Sequence, residues 1–130
     1  MRPHSIERSL WEAAKREARE AMIRVARSCK GTVTYDELPR VITAVHLEPS
    51  SLALRELVDD ISFEEDMAGR GMLGAVVVHR GAGGLPSLHF FTLAKGLGRN
   101  TIDQDSFWKS ELATVRDVWK RSEAQVAGNR

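Results

Sequence analysis

One cysteine, Cys29, in 130 residues leaves the chain no way to form an internal disulfide, so a fold held by bridges is excluded. That usage fits a reducing compartment, and the expected location is cytoplasmic. No apolar run approaches the roughly 18–20 residues needed to cross a bilayer. The opening Met1-Arg2-Pro3-His4-Ser5 leads into a charged helix and not into the apolar core of a signal peptide, so no membrane partner is expected. Neither charge sign dominates: the net charge of +1 carries no polyanion signal by itself. Paired Cys-x-x-Cys or His-x-x-x-His ligands and a nucleophile elbow are missing, and the glycine cluster Gly81-Ala82-Gly83-Gly84 is expected to lead into a strand and not, as a phosphate loop does, into a helix. The expectation is therefore a non-enzymatic protein with no metal and no cofactor. What is present, 42% hydrophobic and 28% charged residues, suffices for one domain with its own core over 1–130.

Charge is distributed unevenly. Residues 1–30 carry a net +4, residues 31–100 a net −3, and the last thirty are balanced. The basic stretch has a helical period over 6–29, with Ser5 as its cap. Leu10, Ala14, Ala18, Ala21, Met22, Val25 and Cys29 fall on one face, and Gly31 stops the helix. Thr34 and Glu37 have capping-box spacing, with Asp36 the alternative cap because of Pro39. Leu38, Val41, Ile42 and Val45 then give a short helix its apolar side. Ser50 or Ser51 caps the next helix, over 50–66, buried through Leu54, Leu57, Val58 and Ile61. After Gly69-Arg70-Gly71, the β-rich run Met72–His79, a glycine-rich turn and Leu88–Thr92 predict a hairpin, with a short helical stretch at 93–97. A last helix over 105–122, capped by Asp105 or Ser106, carries Trp108, Leu112, Val115 and Trp119 on one seam. The expected class is α+β and winged-helix-like: a long N-terminal helix, two short helices, a β-hairpin and a C-terminal helix.

In that order of elements, residues 32–92 resemble a winged-helix module. The stretch Gly31-Thr32-Val33-Thr34-Tyr35-Asp36-Glu37-Leu38 is similar to the opening of the DNA-binding domain in alkyltransferase-like repair proteins. Those proteins hold a reactive cysteine in a Pro-Cys-His-Arg segment. Here the nearest match is Val77-Val78-His79-Arg80, so alkyl transfer is not implied. Gly69 through Val78, with Phe90-Phe91, is also similar to small uncharacterised bacterial proteins, a likeness that implies no activity.

The winged-helix resemblance implies double-stranded DNA as a partner, with the second short helix in the major groove. That helix opposes the docking. Arg55 stands there against Glu56, Asp59, Asp60, Glu64, Glu65 and Asp66, a net of −5. DNA contacts would then fall to Arg16, Arg19, Arg24 and Arg27 on the first helix and to Arg70 and Arg80 on the wing, unless these form an ordinary solvated surface. The acidic helix equally suits a basic protein partner. Trp11, Trp108 and Trp119 are either core or, where exposed, the interface of a homodimer. His79 and His89, with Glu64 or Asp66, make a weak metal pattern that reads more simply as ordinary strand histidines. Gly96-Leu97-Gly98-Arg99 reads as a turn before it reads as an anion nest. Cys29, on the apolar face at the negative end of its helix, is expected to be a buried structural thiol. The resulting expectation is a winged-helix-like binding module in a nucleic-acid-associated process, the alternative being a protein-interaction or dimerisation module that does not touch DNA.

Overall fold

The computed structural model describes residue 3, residues 5–81 and residues 83–128, with side chains as far as residue 124. The first helix, α1, runs Arg8–Arg27 and buries Trp11, Ala14, Ala18, Ala21, Met22 and Ala26 at spacings of three and four. Its alanines keep the buried face thin, which lets neighbouring helices approach closely. Leu10, expected on that face, is exposed, and Trp11 takes its place. Ser28 is extended and ends the helix, and its hydroxyl donates to the Val25 carbonyl at 2.7 Å. Gly31 completes the reversal at φ +74, where a Cβ would lie 2.9 Å from the Arg116 guanidinium carbon. This swing carries Cys29 off the apolar face, so the thiol is exposed and not buried as its spacing suggests.

The Thr34–Glu37 box forms as expected: Thr34 N–H donates to the Glu37 carboxylate at 3.0 Å, and Glu37 N–H to Thr34 Oγ1 at 3.2 Å. It opens only a 3₁₀ turn, Leu38–Val41. The β-branched run Val41-Ile42-Thr43 resists helical continuation, and Ile42 is already extended. Glu17 of α1 then takes the N–H groups of Thr43 and Ala44 at 3.0 and 2.9 Å, fixing the non-helical path. Helix α2, Leu52–Met67, begins at Ser51, whose hydroxyl accepts the Leu54 N–H at 3.1 Å. It buries Leu54, Leu57, Val58 and Ile61 as the spacing predicts.

The expected hairpin is replaced by something else. Leu73–Val76 is a 3₁₀ turn, and only Val77–Val78 (β2) is strand. This strand pairs in parallel with Val33–Thr34 (β1), Val33 opposite Val77 and Thr34 opposite Val78. Residues 72–78 are buried without a break, which suits a segment covered on both sides and not a solvent-washed wing. The supposed return strand is helix α3, Leu88–Gly96, burying Phe90, Phe91 and Ala94. Those three sit at helical and not alternating positions, and the Tyr35 hydroxyl accepts the Ser87 N–H at 3.0 Å just before the helix starts. The β-forming character of Phe-Phe-Thr is thus overridden by packing. No wing is present among the described residues.

Helix α4, Gln104–Gly128, is capped by Asp103, not by Asp105 or Ser106: the Asp103 carboxylate accepts the Ser106 N–H at 3.1 Å. Its seam packs inward as predicted, with Val115 and Trp119 buried and Leu112 half-buried. The larger core joins α1, α2, β2 and α4, and a smaller one gathers Met72, Ala75, Phe90, Phe91 and Ala94 under α3. Among the described residues the chain is mostly helical with one small parallel sheet.

Candidate functional site

The basic and acidic residues that looked free for outside partners largely meet each other. Lys15 of α1 donates to Glu64 of α2 at 2.6 Å, and one turn along Arg19 pairs with Glu65. Arg70, just past α2, donates to the other oxygen of Glu65. Trp11 Nε1 donates to Asp60 at 2.9 Å, and Arg99 grips Asp66 with both terminal nitrogens. Asp60, Glu64, Glu65 and Asp66 are therefore engaged within the chain. The net of −5 on this helix overstates the acid it offers to solvent.

The six candidate DNA-contacting arginines divide accordingly. Arg19 and Arg70 are held by Glu65, whose side chain is only 3% exposed. Arg27 donates to the Trp119 carbonyl at 3.0 Å and to Ser122 at 3.3 Å. Arg80 lies 3.4 Å from Asp36 in an exposed pair of little energetic weight. Arg16 and Arg24 stay on the surface of α1, where Glu20 lies four residues from each on the same side. An alternating Arg-Glu-Arg row makes a weak attractor for a phosphate backbone.

Around Trp119 the structure brings together residues that share no local pattern in the sequence. The guanidinium carbons of Arg19, Arg27 and Arg70 stand 5.6, 5.6 and 5.8 Å from the centre of its ring. Burial alone pushes the Glu65 carboxyl up, but the hydrogen bonds from Arg70 and Arg19 outweigh it and hold the group below the usual carboxylate range. Trp119 Nε1 and Arg116 Nε are buried donors with no acceptor among the described residues. Trp11 and Trp119 belong to the core, at 2% and 8% exposure, and so do not offer the interface considered for them. Trp108 is half-buried, its N–H donated to the Ala75 carbonyl at 2.8 Å.

On the far side of α2 lies a different surface. Leu52, Glu56, Asp59, Phe63 and Met67 recur at spacings of four, three, four and four, opposite the core face. Leu52, Phe63 and Met67 are exposed, as is Leu88 at the start of α3. Asp59 borders a cavity of about 370 Å³ with Leu88, His89, Thr92 and Leu93. The Asp66–Arg99 pair closes the other end, so α2 and α3 run side by side in the same general direction. Desolvation, with the neighbouring Asp60 and Glu56 adding repulsion, pushes the Asp59 carboxyl up to about 7. Glu56 and Asp59 are the two carboxylates of α2 without a side-chain partner among the described residues. The signal for this stripe was in the sequence as a second apolar row, half a helix turn from the buried one.

The remaining candidates disperse. His79 packs on the Tyr35 ring at 4.9 Å, whereas His89 borders the Asp59 cavity, so the two do not converge. Among the described residues no three His, Cys, Asp or Glu side chains cluster to hold a metal. The N–H groups of Gly98 and Arg99 return to carbonyls of α3, at 3.0 Å each, which leaves no anion nest there. A second groove of about 380 Å³, floored by Ala21, Val25, Val33, Leu38 and Val41, separates α1 from the 3₁₀ turn at Leu38–Val41. No described helix is long and apolar enough to cross a membrane. Compared with protein-family models, curated proteins and solved structures, the chain matches none.

Proposed function

We propose that this chain is a protein-interaction module whose α2–α3 face binds a basic, amphipathic segment of another protein. One observation carries the reading: exposed Leu52, Phe63 and Met67 share one stripe of α2 with Glu56 and the half-buried Asp59, and exposed Leu88 borders the cavity at Asp59. The spacing along α2 is that of a helix-docking seam, in which apolar residues at four-and-three intervals meet a partner's own stripe. The carboxylates of Glu56 and Asp59, without a side-chain partner among the described residues, favour lysine or arginine within that partner. They also disfavour a second copy of this chain, because self-association through α2 would bring Glu56 and Asp59 close to their own images. Duplex DNA is opposed on this face by charge.

The test uses an amphipathic Leu/Lys helical peptide as probe, followed by calorimetry and amide chemical shifts. Saturable binding that moves Glu56, Asp59, Phe63 and Leu88 is expected, weakened at least tenfold in E56K/D59K. Peptide binding that maps elsewhere, or is indifferent to E56K/D59K, sinks the proposal. Steeply salt-dependent binding of duplex DNA that needs Arg16 and Arg24 would restore the nucleic-acid reading. A dimer dispersed by F63S would give the face to a second copy instead.

A further inference from the structure

Around Trp119 the donors outnumber the acceptors. Glu65 engages Arg19 and Arg70 through Nε alone, one oxygen to each. Both carboxylate oxygens are thereby occupied, while the terminal nitrogens of the two guanidinium groups have no partner among the described residues. The arginine side chains are 38% and 39% exposed although the carboxylate that holds them is buried, so their outer portions reach solvent. Two guanidinium charges face one carboxylate. Arg27 adds a third at the same ring, with its nearest carboxylate, Glu123, at 4.0 Å. The two arms are also held in position: each carries a buried ion pair at its root and lies against one indole ring. Two planar guanidinium groups held on one carboxylate and lying 5.6 and 5.8 Å from the centre of one indole ring, with excess positive charge, suit a tetrahedral oxyanion that accepts from both. Such a site has already met much of the ordering cost that a pair of free surface arginines would meet on binding. The indole N–H of Trp119, buried and without an acceptor among the described residues, reports on the same cluster.

We propose that Arg19 and Arg70, rooted on Glu65 and braced against Trp119, form a two-armed binding site for a phosphate group. The site is separate from the α2–α3 face and needs no partner there. The shared chemistry of its ligand is a dianionic phosphate, either the free ion or a phosphoryl group on a larger molecule.

Inorganic phosphate, O-phosphoserine and chloride, compared at pH 7 and matched ionic strength, test this through ¹H–¹⁵N spectra of the arginine Nε–H groups and the tryptophan indole N–H groups. Saturable phosphate-induced shifts at Arg19, Arg70 and Trp119 are expected, with little response to chloride. R19K and R70K each keep the charge but lose the fork, and should weaken binding at least fivefold. O-phosphoserine binding more tightly than phosphate would mark an esterified phosphoryl group as the ligand; equal or weaker binding would mark the free ion. Shifts that follow ionic strength regardless of the anion, or that saturate equally in both lysine variants, overturn the proposal. Should a variant fail to fold, the phosphate-against-chloride comparison on the native chain still decides.

Discussion

Replacing Glu65 by glutamine changes the side chain's charge while keeping its shape, at the point where α1, α2 and the segment after α2 are joined. The carboxylate accepts charge-assisted hydrogen bonds from Arg19 and Arg70 and is almost fully enclosed. Each such bond contributes about 1.5–3 kcal/mol in general. Glutamine keeps one acceptor oxygen but turns an NH₂ group toward the second arginine, so one bond is lost outright and the other weakened. Both arginines reach water and recover part of their solvation, which brings the expected loss to about 2–3 kcal/mol. At about 2.1 cal/mol/K of unfolding entropy per residue, a chain of 130 residues loses about 4 °C of Tm for each kcal/mol, so E65Q should melt about 7–11 °C lower at pH 7. The sign with pH comes from the depressed carboxyl: its stabilisation is present above the unfolded-state value and disappears as pH falls through the folded one. Calorimetric melts from pH 7 down to pH 3 should therefore show the native and E65Q proteins converging in acid. A gap under 2 °C at pH 7, or one that persists unchanged into acid, refutes the reasoning.

Asp59 has the opposite sign. Its raised carboxyl makes stability fullest below about pH 4, where the group is neutral in both states, and erodes it as pH rises toward 7. D59N should match the native Tm in acid and exceed it by the equivalent of about 2 kcal/mol at pH 8, after allowance for water reaching the groove; a pH-independent gap would contradict this. Basic-peptide affinity for the α2–α3 face should rise across the same interval, with His89, Glu56, Asp60 and Tyr35 among the titratable groups around Asp59; calorimetry at pH 6 and 8 checks it. G74A places a Cβ on the Ser62 hydroxyl and 2.9 Å from Val58 Cγ1, and should cost about 3 kcal/mol by denaturant unfolding, with partial recovery in S62A/G74A. W11F deletes the indole N–H that donates to Asp60 and should cost about 2 kcal/mol in the same assay; a neutral result would mean the contact contributes no net stability.

Local signals are legible in this sequence, and relations between distant segments are not. The helical period of α1, the Ser51 cap, the Thr34–Glu37 box and the Trp108–Trp119 seam each depend on residues within a few turns, and each has its counterpart in the structure. The box promises a longer helix than the chain forms, because the β-branched Val41-Ile42-Thr43 run and the grip of Glu17 from another element outweigh a favourable start. Leu88–Thr92 misleads for a related reason: strand-forming residues are recruited to a helix by burial of Phe90 and Phe91. The charge map fails most instructively. Counting lysines and carboxylates by segment treats them as surface, yet Arg19 and Arg99 find their counter-charges 46 and 33 positions away, and Lys15 adds to its neighbour Glu12 a partner 49 positions away. Periodicity says which face of a helix is charged, but not which other helix answers it.

The parallel pairing of Val33 with Val77 also bears on how the chain reaches this structure. Its two strands are about 44 positions apart, and closing a loop of that length costs on the order of 3 kcal/mol of chain entropy, too much for a two-residue ladder to offset alone. The ladder can therefore close only after the intervening α2 has docked on α1 and brought the ends together. In kinetic terms, truncations at Val77 or Val78 should accelerate unfolding and leave the folding rate nearly unchanged, as expected of contacts formed after the transition state.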